Sequence, residues 1–174
     1  MAVSNQQPIL TPRAAATRTP PALLSFFNSI QGTDTISGQF IERGNDPTYG
    51  MAAIDAIQAN TGKWPGLIGC DYWWFGSGSI TADTTFNSYA TEYWNSGGLI
   101  APTLSMPNPT TMSGLNDRSS FAAGDLLTPG TTTNSNFMAM LDSVAAGLAD
   151  LQANGVTVIL RPFHEFRRKM ASST

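Results

Sequence analysis

Val156-Thr157-Val158-Ile159-Leu160-Arg161-Pro162-Phe163-His164-Glu165 is the most β-branched apolar run of the chain, and it ends in the chain's densest polar cluster. β-Branched side chains fit a pleated, packed surface, so residues 156–161 are expected to form a strand. An imidazole and a carboxyl follow just beyond its carboxyl end. Three earlier apolar runs have strand length: residues 35–40, 67–71 and 99–104.

Amphipathic segments lie before and between these runs. Leu23, Leu24, Phe27 and Ile30 have helical spacing, and that helix should stop near Gly32. Asp46 can cap a second helix with Pro47 at its first position, burying Met51, Ile54 and Ile57 and ending at residues 60–62. A third, beginning at Asp83, places Phe86, Tyr89, Ala90, Tyr93 and Trp94 on one face until Gly97 and Gly98 end it. Tyr89, Tyr93 and Trp94 are therefore expected in the core. A fourth, from near Ser135, carries Phe137, Leu141, Val144, Ala145, Leu148 and Leu151 on one face and closes at Asn154 and Gly155.

Strands alternating with helices fit either a doubly wound sheet or a (β/α)8 barrel, and the strand ends choose between them. A doubly wound nucleotide-binding sheet wants a glycine-rich turn after its first strand, but Phe40 is followed by Ile-Glu-Arg-Gly-Asn-Asp. Polar and aromatic residues instead crowd the carboxyl ends: Gln39 and Glu42, Asp71 with Trp73 and Trp74, Asn108, and His164 with Glu165. Barrel enzymes keep their sites there. The expected fold class is α/β, about four βα units forming the N-terminal half of a (β/α)8 TIM barrel. The connection between the third strand and its helix is far longer than the ~2–6 residues usual for such a loop, which suggests a functional loop.

Composition narrows the function classes. The 174 residues are 41% hydrophobic and 12% charged, with a net charge of −3, as expected of a globular domain. No Lys/Arg cluster precedes the last few residues, so neither a nucleic-acid nor a membrane partner is expected. One Cys and one His cannot make a disulfide framework or an ordinary structural zinc site; Cys70 is expected to be a buried strand residue. Residues 1–21, with four prolines, read as a flexible leader without the apolar run of a signal peptide. Residues 22–166 read as the partial barrel domain, and 167–174 as a basic tail.

A carboxyl at a strand end, walled by Phe163 and Phe166, has its ionised form disfavoured by partial desolvation, as a general acid at neutral pH requires. His164 can bind a sugar hydroxyl or fix a carboxylate, and Arg161 can hold a loop. The same residues equally fit an Arg161–Glu165 ion pair beside a satisfied core histidine. Trp73 and Trp74 offer flat faces for stacking on pyranose rings, or one of them fills space beneath its loop.

Arg161-Pro162-Phe163-His164-Glu165 resembles the acid/base signature of glycoside hydrolase family 26, mainly endo-β-1,4-mannanases built as (β/α)8 barrels. Ile36-Ser37-Gly38-Gln39, Pro65 to Asp71, Trp94 to Ile100 and Asn108-Pro109 resemble the family's first strand, second strand, approach to the third strand and following loop, in the right order. The resemblance spans residues 35–166. It implies a retaining hydrolase of β-mannan or a related β-glycan, without cofactor or metal. Glu165 would be its general acid/base, His164 a contact to substrate or nucleophile, and Asp71, Trp73, Trp74, Asn108 and Arg161 the substrate side. It also implies secretion.

Two departures qualify that expectation. Leu104 and Ser105 stand where the family commonly has Trp-His, which bears on mannose specificity, and residues 167–174 depart from the family's Asn-Gly and Trp-rich continuation. The family's nucleophile is a Glu near the seventh strand, and Asp71 is a weak substitute for it. A non-catalytic carbohydrate-binding half-barrel and a nonfunctional fragment are the alternative readings. Four strands with two open edges also imply self-association or poor solubility.

Overall fold

The computed structural model describes residues 18–41, 47–72, 81, 82, 84–113, 117 and 119–162, without the side chains of residues 47–50. Among the described residues four helices and four strands alternate: α1 (Pro20–Ile30), β1 (Gly38–Phe40), α2 (Pro47–Thr61), β2 (Leu67–Asp71), α3 (Phe86–Asn95), β3 (Leu99–Leu104), α4 (Thr132–Ala153) and β4 (Arg161–Pro162). A short 3-10 helix, Ala123–Leu127, lies in the connection from β3 to α4. The strands form one sheet in the order β1-β2-β3-β4. The β1–β2 and β3–β4 pairs are parallel.

The two inner strands match their expected bounds at both ends. All six residues of β3 are buried, as expected of a strand covered on both faces in a parallel sheet. The outer strands are shorter than expected. Before β1, the Ser37 carbonyl accepts from both Gly66 N and Leu67 N, at 2.9 and 3.1 Å. The regular ladder therefore starts at Gly38 rather than at residue 35. On the other edge, Ile100 pairs with Val158 and Thr103 with Arg161, so residues 156–161 do follow β3 in a single register. Among the described residues the ladder on this side is interrupted, and residues 161 and 162 form the regular strand.

Helix ends follow local chemistry. Proline at the first position of α2 gives up an amide that would have no partner in the helix. α3 ends with Gly97 at φ 101°, Gly98 N bonding Tyr93 O and Gly97 N bonding Trp94 O. α4 ends the same way, with Gly155 at φ 73°, Val156 N on Leu151 O and Gly155 N on Gln152 O. Both turns satisfy last-turn carbonyls, and both need the left-handed conformation that glycine adopts without a Cβ penalty.

Several expectations shift. α4 starts at Thr132 rather than near Ser135, because the Thr131 hydroxyl accepts Asn134 N at 3.0 Å as an N-cap. Its buried stripe is Met140, Val144, Gly147 and Leu151, and Ala145 is exposed. Leu24 of α1 is likewise exposed, while Leu23 is buried. α3 starts at Phe86 rather than at Asp83, which lies outside the described residues together with Asp46, the expected cap of α2. Cys70 is buried and in no disulfide among the described residues, Tyr93 and Trp94 are buried, and Tyr89 is half-buried.

The chain forms two compact units. The first comprises Met1–Cys70, Thr85–Pro102 and Leu151–Ile159; the second comprises Asp71–Thr84, Thr103–Asp150 and Leu160–Thr174. The core of the first includes Ile54, Ile68, Trp94, Leu99, Ile100 and Leu151, all at or below 2% exposure. Burying each such aliphatic side chain stabilises by roughly 1.5–3 kcal/mol. Arg18, within the stretch expected to be a flexible leader, is docked here. Its guanidinium lies 3.5 Å from the centroid of the Trp94 ring.

Candidate functional site

The carboxyl ends of β2, β3 and β4 meet in the second unit. Tyr72 N donates to Thr103 O at 2.9 Å on one side of β3, and Thr103 pairs with Arg161 on the other. The segments leaving these three strands therefore depart from one level of the sheet. In sequence they carry Trp73 and Trp74 after Asp71, Asn108 after Leu104, and His164 and Glu165 after Pro162. Trp73, Trp74, His164 and Glu165 themselves, with Glu42, lie outside the described residues.

Asp71 is the last residue of β2 and only 4% exposed. Its Oδ1 accepts Ser105 N at 3.1 Å, so the carboxylate holds the first residue past β3. Leu104, where the resemblance would place an aromatic residue, is buried in the core, and Ser105 is half-buried. Arg161 is exposed at the edge of the sheet.

Asn108 is buried, and its amide is engaged by its own loop. Oδ1 accepts Thr110 N at 2.9 Å, while Nδ2 donates to Ser119 O at 2.8 Å. Met112 N bonds Asn108 O, and Met112 sits at φ 52°, a left-handed conformation unusual for a side chain of this size. α4 supports the same loop: Asn136 Nδ2 donates to Pro109 O at 2.7 Å, and the hydroxyls of Thr110 and Thr133 lie 2.8 Å apart. Farther along, Asp117 accepts from the hydroxyls of Thr111 and Ser113 and from Ser119 N. These bonds hold its carboxyl well below the usual carboxylate range.

The segment after β2 is anchored at its far end, where Ala82 N donates to the Ser143 hydroxyl of α4 at 2.8 Å. A Cβ on Gly147 would stand 2.9 Å from Thr84 Cγ2, so α4 needs glycine for this approach. Thr133, Asn136, Ser143 and Gly147 were not among the candidates from sequence. Their helix was read for its apolar stripe, and small polar residues beside that stripe carry no periodic signal. Among the described residues no group of three or more His, Cys, Asp or Glu could hold a metal ion. No described helix is long and apolar enough to cross a membrane.

Comparison with known proteins gives this arrangement a context. The family model of glycosyl hydrolase family 26 matches residues 11–169. A mannan endo-1,4-β-mannosidase of Bacillus subtilis is 35% identical over 128 residues, covering 70% of this chain and 35% of the relative. Another, from Caldalkalibacillus mannanilyticus, is 39% identical over 111 residues, covering 60% of this chain and 22% of the relative. Among solved structures, a B. subtilis mannanase superposes with a TM-score of 0.71 at 28% identity, covering 92% of this chain and 50% of its own. A β-mannanase from a symbiotic protist of the termite Reticulitermes speratus, complexed with gluco-manno-oligosaccharide, gives 0.75 at 25% identity, with 94% and 52% covered. The chain thus spans about half the length of the barrels it superposes on and about a third or less of the curated relatives. Its four strands are those of a (β/α)8 barrel.

Proposed function

Because the chain belongs to glycosyl hydrolase family 26, we propose that it supplies the acid/base half of a site that hydrolyses β-1,4-mannan or a related β-glycan with retention. Glu165 is the general acid/base in this reading, protonating the departing glycosidic oxygen and later deprotonating water. A retaining mechanism needs a second carboxyl ~5–5.5 Å away. Asp71 does not suit that role, since its Oδ1 holds Ser105 N. The nucleophile is therefore assigned to none of the residues singled out here.

His164 contacts the sugar or the nucleophile, Trp73 and Trp74 stack on pyranose rings, and Arg161 lines the approach. Asp71 and Asn108 serve the substrate side by shaping the loop after β3. The polymer is the partner, and self-association through the outer strands β1 and β4 belongs to the same proposal.

The observation that carries the reading is the convergence of β2, β3 and β4 at one level, from which the family-like segments extend. The test is reducing-sugar release from β-mannan by the wild-type chain and by Glu165→Gln, with binding to insoluble mannan measured in parallel. Release that falls by at least about 100-fold in E165Q supports an acid/base at Glu165, and equal release from both sinks it. Binding without release from either protein favours the second reading, a non-catalytic carbohydrate-binding half-barrel.

A further inference from the structure

The run that leads into β4 is held from the opposite end of the sequence. Arg18 donates from one guanidinium nitrogen to Trp94 O and from the other to Gly98 O, and its plane lies over the Trp94 indole. The Trp94 carbonyl belongs to the last turn of α3, where the aligned peptide dipoles favour a cation, and the Gly98 carbonyl to the turn that leads from α3 into β3. The planar fork of arginine matches two acceptors at once while stacking on a ring, which a lysine ammonium cannot do. The Arg18 carbonyl in turn accepts the Thr157 hydroxyl at 3.2 Å. One residue beyond, Val158 pairs with Ile100, and Ile159 N donates to Ile100 O at 2.8 Å.

We infer that Arg18 is a positioning residue that pins the 156–159 run against the C-terminal turn of α3 and so sets the register in which that run pairs with Ile100. Among the described residues the run lies beside β3, and its regular ladder is two residues long. Ladder bonds alone hold so short a strand weakly, so a side contact at Thr157 has leverage there. The importance of this register for catalysis rests on the reading of Glu165, four residues past Arg161. The pinning itself does not.

Burial pulls the Arg18 pKa down to about 10, which fits a desolvated cation held by carbonyls and a ring. Trp94 is 1% exposed, and its Nε1 has no hydrogen-bond partner among the described residues. The indole is thus placed by packing and by the cation above it.

Native-state hydrogen exchange on the full chain tests the inference. In Arg18→Ala the amide of Ile159 should exchange about tenfold faster, while that of Ile41, bonded to Gly69 O at 2.8 Å in the β1–β2 half of the sheet, keeps its rate. Arg18→Lys should fall between the wild type and Arg18→Ala. Equal acceleration at both amides, or none at Ile159, overturns the assignment. Should Arg18→Ala fail to fold, Thr157→Val removes only the hydroxyl that reaches the Arg18 carbonyl. It should still raise exchange at Ile159, by about threefold, with Ile41 unaffected; an unchanged Ile159 in that variant overturns the inference. No step of this readout uses sugar release, so failure of the glycosidase reading and failure of this one are separable.

Discussion

The turn into β3 and the loop out of it are fixed by different physics. The entry turn is short and held by volume. The Tyr93 ring lies against Gly98, its hydroxyl donates to Pro65 O, and Arg18 covers Trp94. The exit loop runs from Ser105 to the cap of α4 and is held by polar side chains that satisfy backbone groups: Asp71 for Ser105, Asn108 for Thr110 and Ser119, and Asn136 for Pro109. A turn fixed by packing is intolerant of added atoms. A loop fixed by hydrogen bonds is intolerant of lost donors and acceptors, and can take different side chains on its outer face. That division suits a scaffold that keeps one end rigid and varies the other, as barrels do.

The largest effect should come from filling the packed turn. A Cβ at Gly98 would stand 2.1 Å from Tyr93 Cε1, inside any real contact. Gly98→Ala should therefore cost about 3 kcal/mol in denaturant unfolding. A cost below about 1 kcal/mol would mean that the ring moves aside freely and that packing does not hold this turn.

Smaller and more local is the loss of the Asn108 amide. Asn108→Ala leaves Thr110 N and Ser119 O without these partners and should cost about 2 kcal/mol. Limited proteolysis should show new cleavage within residues 105–131 while the rest of the chain stays protected. General loss of protection would contradict the idea that this residue organises only its own loop.

The two regions should also part company in their response to pH. Burial pushes Tyr93 up from 10 to about 12. The folded state therefore holds that proton more tightly than the unfolded state, and stability present below pH 10 is lost as pH rises toward 12. Tyr93→Phe should remove this alkaline loss. Asp117 has the opposite sign: its depressed pKa makes a contribution present above the ordinary carboxylate value and lost as pH falls well below it. At so exposed a site the effect should be the smallest of the series. It is readable as a weaker acid dependence in Asp117→Asn, and an acid limb identical to wild type would remove Asp117 from the loop's support.

Some elements could be read almost to the residue. β2 and β3 are continuous apolar runs that follow glycines, and a strand buried on both faces needs no more signal than that. The glycine stops of α3 and α4 were equally plain, because a positive φ restricts the residue type. The outer strands were over-read. Side-chain character says that residues 35–37 and 156–160 suit a strand, but ladder length depends on the pairing made in space: Ser37 O takes two donors, and residues 156–160 meet β3 through an isolated bridge at Val158. On α4 the expected stripe holds at Val144 and Leu151, but Met140 and Gly147 are buried where Leu141 and Leu148 were expected, and Ala145 is exposed. Alanine fits either face, and the neighbouring elements choose.

For the candidate site, the sequence by itself located the strand ends and named Asp71, Asn108 and Arg161 on them, because polar residues that close apolar runs stand out in one dimension. What those side chains hold was decided by tertiary structure. That Asp71 reaches Ser105, that Asn108 reaches Ser119 beyond its local bond to Thr110, and that Arg18 is docked on Trp94 rather than free in a leader depend on contacts between residues apart in sequence. A hydrogen bond is short and directional. Residue type and spacing can supply the donor and the acceptor, but only the packed backbone brings them within three ångströms of each other.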